Sequence, residues 1–95
     1  MGELQVVATI AAKSGSESEV AQALSTLASA SRDEPGCTSY NVFESAAVPG
    51  TFVTVEVWES KEALDAHMKS PALGETMAAQ ADNLGDIVIH PLTPI

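Results

Sequence analysis

Residues 51–58 read Thr51-Phe52-Val53-Thr54-Val55-Glu56-Val57-Trp58. β-Branched and aromatic side chains dominate this run, and both suit the pleated, half-buried surface of a strand. Alternation puts Val53, Val55 and Val57 on one face and Phe52, Thr54, Glu56 and Trp58 on the other. Neither set makes an ordinary solvent face, so both sides of the sheet are expected to be covered. Upstream, Cys37 to Ser45 is a second strand-like mixture, and Ala46 to Gly50 carries the turn dipeptide Pro49-Gly50. The two strands therefore form a hairpin.

On the N-terminal side, Leu4 to Lys13 alternates as a strand, with Leu4, Val6, Ala8, Ile10 and Ala12 pointing one way. Ser14-Gly15-Ser16 interrupts it, and Ser16 with Glu19 three residues later fits a capping box. From Glu17 to Arg32, Val20, Leu24, Leu27, Ala28 and Ser31 share one side of a helix, which Glu34-Pro35-Gly36 ends because proline cannot continue it. On the C-terminal side a helix capped by Ser60 carries Leu64, His67 and Met68 on one face. Leu73 and Met77 continue the pattern past a break at Ser70-Pro71, giving two helical pieces. Residues 86–92, Asp-Ile-Val-Ile-His-Pro-Leu, read as a last strand whose proline suits a sheet edge.

The order βαββαβ predicts an α+β, ferredoxin-like single domain over residues 1–95: a four-stranded antiparallel sheet with its helices on one face. A monomer of this kind would leave an apolar sheet face bare. A homodimer closing sheet against sheet is the expected remedy. For 95 residues, size scaling gives roughly 5,200 Å² of surface when folded.

Four Lys and Arg against 13 Asp and Glu leave a formal net charge of −9, which repels nucleic acid and anionic membranes. The single cysteine, Cys37, cannot close an intramolecular disulfide, and Met-Gly-Glu-Leu-Gln-Val-Val at the start lacks a signal-peptide pattern. No apolar run approaches membrane-spanning length, so a cytoplasmic setting with reduced thiols is expected. Glycine-rich phosphate loops and recognisable zinc spacings are missing from the sequence, so no metal or nucleotide cofactor is expected.

Glu34-Pro35-Gly36-Cys37 followed by Tyr40, Val57-Trp58-Glu59-Ser60, Leu64-Asp65-Ala66-His67 and Ser70-Pro71, in this strand order, resemble the antibiotic biosynthesis monooxygenase family of dimeric α/β barrels. The resemblance runs from the first strand to Ile95. It implies a cofactor-independent monooxygenase acting with dioxygen on a small aromatic substrate, a phenol, anthrone or quinol. The alternative that it leaves open is a non-oxidative small-molecule binder or isomerase of the same superfamily. Quinol-oxidising members look like His-x-x-x-Pro-His at the second helix, whereas Ala72 follows Pro71 here. Haem-degrading members place their iron ligand where Met77 stands and an asparagine where Ala8, Thr9 and Ile10 run, so haem is not expected.

His67, on the apolar face of its helix, is the expected catalytic base because imidazole titrates near neutrality; the bland reading is a core histidine with a satisfied ring. Glu56, a mid-strand carboxylate beside Phe52 and Trp58, needs a partner if it faces the helices, and His67 is the partner expected. An aromatic cleft of Trp58, Phe52 and Met77 is expected to hold a planar substrate, and Tyr40 to donate its hydroxyl. Asn41 falls on the other face from Tyr40, His90 is expected to be structural or interfacial, and Cys37 an inert thiol.

Overall fold

The computed structural model describes residues 2–95, and the strand at 51–58 lies inside the sheet, with neighbours on both sides. The elements are β1 (Leu4–Ala12), α1 (Glu17–Arg32), β2 (Cys37–Glu44), β3 (Thr51–Trp58), α2 (Lys61–Met68), α3 (Pro71–Ala79), a 3-10 turn (Ala81–Asn83) and β4 (Leu84–Pro91). One antiparallel sheet of four strands, ordered β2-β3-β1-β4, gives the ferredoxin-like α+β arrangement. Among the described residues, no helix is long and apolar enough to cross a membrane.

The alternation in β3 decides which side is packed. Phe52, Thr54, Glu56 and Trp58 are buried under the helices, while Val53 and Val57 are half-covered and Val55 exposed on the opposite face. In register, Tyr40, Glu56 and Val6 stand in one row across β2, β3 and β1, so they present side chains to the same side. All five expected apolar-face positions of α1, Val20, Leu24, Leu27, Ala28 and Ser31, are buried against that side.

The open face carries Val55, Phe43 and Val88, 41%, 55% and 46% exposed. The folded chain presents 5715 Å² of surface, against roughly 5,200 Å² expected for its mass.

The start of α1 departs from the capping box. Ser16 sits at φ −107°, ψ 6°, away from the extended geometry that turns a cap side chain onto the helix, and makes no side-chain cap. Its hydroxyl donates instead to Asn83 Oδ1 at 3.0 Å, and Asn83 Nδ2 donates to Glu19 Oε2 at 3.1 Å. Both box residues are thus taken by one asparagine, which ties α1 to the turn before β4. At α2 the expected cap forms, Ser60 accepting from Ala63 N at 3.1 Å, and α3 has one of the same kind, Ser70 accepting from Leu73 N at 3.2 Å.

Candidate functional site

On β3, residues two apart share a face, so Thr54 and Trp58 flank Glu56. Glu56 is only 4% exposed. Its Oε2 accepts from Thr54 Oγ1 at 2.7 Å and its Oε1 from Trp58 Nε1 at 2.9 Å. Two such bonds offset part of the several kcal/mol that burying a carboxylate costs.

The helix α2 brings in His67, 3% exposed. Its Nδ1 lies 2.8 Å from Glu34 Oε1. Glu34 belongs to the turn that ends α1, where its N–H donates to Ser31 O and its carbonyl accepts from Cys37 N. Gly36 allows this turn to press against α2: its φ is +83°, and a Cβ there would lie 2.5 Å from Ala63 Cβ. The Glu-Pro-Gly sequence therefore both stops α1 and carries a carboxylate to the imidazole. An ionised Glu34 only accepts, so in the neutral ring Nδ1 holds the proton and Nε2 keeps its lone pair.

Aromatic packing fixes the ring. Trp58 lies against His67 with centroids 4.6 Å apart and planes tilted by 32°, and Tyr40 meets the imidazole edge-on at 5.6 Å. Trp58 is fully buried, so it backs the site.

A cavity of about 50 Å³ opens between sheet and helices. Tyr40, Thr54, Glu56 and His67 give it polar atoms, and the rest of its lining is apolar, including Met68, Met77, Ile87 and Ile89. Burial, reinforced by the Glu56 and Glu34 charges, pushes the Tyr40 phenol well above its ordinary range. The neighbouring Ser31 hydroxyl eases that only partly, and Ser31 Oγ is buried without a hydrogen bond of ordinary geometry. Tyr40 therefore stays a protonated donor. Burial, then Glu34 and Glu56, also raise the Cys37 thiol against the opposing pull of Arg32, which keeps it protonated and poorly nucleophilic.

Of the residues singled out by sequence, Tyr40, Glu56, His67 and Met77 meet at this cavity, with Trp58 behind it. Phe52 does not join them: it packs with Leu24 and Leu27 farther along the sheet and lines a separate groove between α1 and β2. The expected bond between His67 and Glu56 is replaced by His67–Glu34, and the Glu56 oxygens accept from Thr54 and Trp58 instead. Glu34 and Thr54 were missed. Thr54 was readable from its two-residue spacing to Glu56, whereas Glu34 lies 33 residues from His67 with no local pattern joining them. Asn41 and His90 are exposed, and both alternate away from cavity-side neighbours on their strands. No cluster of three or more metal-ligating side chains occurs among the described residues.

These features define a ferredoxin-like α+β domain with a small apolar cavity and an oriented histidine. Residues 4–79 match the sequence profile of antibiotic biosynthesis monooxygenases, so the chain belongs to that family. It is similar to protein Rv0793 of Mycobacterium tuberculosis, 29% identical with a TM-score of 0.88 over 98% of this chain and 95% of that one. A candidate antibiotic biosynthesis monooxygenase of Deinococcus radiodurans is 26% identical, with a TM-score of 0.89 over 96% of this chain and 91% of that one. A stretch of 54 residues, 57% of this chain, is 39% identical to protein sll1783 of Synechocystis sp. and spans 37% of that protein's length.

Proposed function

We propose that this chain is a cofactor-independent monooxygenase for a small phenolic, anthrone or quinol-type substrate, with His67 as its base. The observation that carries this reading is the 2.8 Å contact between Glu34 and His67 Nδ1 at the wall of an apolar cavity. A carboxylate on Nδ1 fixes the tautomer and stands beside the imidazolium that forms. Nε2 takes a proton from the bound substrate, and the Tyr40 hydroxyl donates to the oxyanion left behind.

The substrate anion passes an electron to dioxygen, and recombination at carbon gives a hydroperoxide. For a methylene substrate, loss of water from that hydroperoxide leaves a carbonyl. One oxygen atom stays on carbon and the other leaves as water with the two hydrogens that the substrate gave up. The apolar lining favours dioxygen and keeps bulk water from the anion.

At about 50 Å³ the cavity is far smaller than the sites that enclose drug-sized ligands, which favours single-ring members of the substrate class. The flexible side chains of Met68 and Met77 supply the adjustment that a ring needs on entry. A homodimer that buries Phe43, Val55 and Val88 of the open sheet face is part of the same proposal. Oxygen uptake with a panel of hydroquinones and anthrones, in buffer stripped of metals and flavins, tests it. Uptake that chelation leaves unchanged is expected; no uptake with any member of the panel would overturn the reading.

A further inference from the structure

We propose that the cavity discriminates by charge, accepting uncharged rings and excluding carboxylated or phosphorylated ones, with Glu56 as the specificity-determining residue. This rests on reading the cavity as the substrate site. Glu56 projects from the floor, 4% exposed, with both oxygens accepting from neutral donors. Each oxygen accepts one of those bonds, and neither donor carries a charge that would balance a carboxylate.

Among the described residues, no lysine or arginine lines the cavity. Arg32 turns its Nε to the Tyr40 carbonyl and lines the groove beyond α1. Lys61 pairs with Asp65 at the surface, and Lys13 and Lys69 are exposed. His67, the one titratable base in the lining, already has its own carboxylate, Glu34. An anionic substituent therefore meets Glu56, with Glu34 behind the imidazole, and finds no countercharge. A phenol or quinol escapes this penalty, because the proton that it loses stays beside it on His67. At the effective dielectric of a partly buried site, two like charges several ångströms apart weaken binding by roughly 10- to 100-fold.

The chain's single tryptophan, Trp58, lies 4.6 Å from His67, so its emission reports on the cavity without requiring turnover. Three related probes separate charge from size: gentisate, its bulkier but neutral methyl ester, and dopamine as a cationic ring. The expected order of affinity has the ester roughly tenfold or more above gentisate, with dopamine at least equal to the ester. In Glu56→Gln the amide carbonyl can still accept from Trp58 and its NH2 can donate to Thr54, so the fold is expected to hold while the gap between ester and acid closes by roughly tenfold.

Gentisate binding as tightly as its ester, an unchanged gap in a folded Glu56→Gln protein, or no binding of any probe would overturn the proposal. If the variant does not fold, the order of the three probes on the wild-type chain decides. Charge-ordered binding without oxygen uptake would remove the monooxygenase reading and leave the selectivity standing.

Discussion

The two ends of the core are built on the same strands and differ in kind. Toward one end, Ala8, Ile10 and Phe52 pack against Val20, Leu24 and Leu27. Toward the other, Val6, Trp58 and Leu64 pack with Tyr40, and beside them lie Glu56, His67 and Ser31, with Thr54 one row along opposite Ala8; these four are the buried polar or charged side chains among the described residues. Apolar packing gains free energy wherever it occurs, whereas a buried carboxylate, imidazole and unpaired hydroxyl cost free energy unless they are bonded. The polar groups of the site stand toward the second end, whereas the first supplies apolar packing and, through Ala8, Ile10, Leu24 and Leu27, part of the cavity wall.

The largest break in this division comes from the apolar end. Phe52→Ala should lower unfolding free energy by about 3–5 kcal/mol, the usual cost of deleting a buried phenyl group. In denaturant titration that loss is expected while ligand affinity of the folded fraction stays put. A selective loss of binding without loss of stability would place Phe52 in the site after all.

Alkaline pH gives a smaller effect at the polar end. The folded-state pKa of Tyr40 is raised, so the unfolded chain releases its proton first, and the stability it contributes is intact below about pH 10 and declines above it. Wild type should lose about 1.4 kcal/mol per pH unit above 10 relative to Tyr40→Phe. Parallel stability curves for the two proteins would mean that this phenol ionises as easily folded as unfolded.

The smallest effect has the opposite sign. Ser31 Oγ is buried beside the Tyr40 phenol and makes no hydrogen bond of ordinary geometry. Ser31→Ala should therefore leave thermal stability unchanged or raise it by up to about 1 kcal/mol. A loss above that size would show that the hydroxyl does have a partner.

The same contrast separates what could be read from the sequence. Period-two alternation in β1 and β3, the small-residue face of α1 and the turn signals at Glu34-Pro35-Gly36 and Pro49-Gly50 are local, and they were enough for the element order and for grouping Glu56 with Phe52, Thr54 and Trp58, but not for which face the helices cover. Tyr40 and His67 were legible because each had one buried face to occupy. The bond between Glu34 and His67 was not, because it depends on how closely a turn approaches a helix, and that distance is set by Gly36 against Ala63. Asn83 capturing both Ser16 and Glu19 escaped for the same reason: a tertiary contact replaced a local one. Phe52 shares its strand face with Glu56, but four residues along a strand are roughly 13 Å, enough to put it in the other half of the core.

The central claim is that the imidazole held by Glu34 is the base, and kinetics of His67→Ala under an oxygen electrode test it most directly. With a hydroquinone that the wild-type protein oxidises, kcat/KM should fall by roughly 10² to 10⁴ while the variant keeps the oligomeric state and a cooperative melting transition, at a lower temperature because a buried, paired ring is gone. A well-folded His67→Ala protein that consumes oxygen at the wild-type rate would contradict the account and move the base elsewhere.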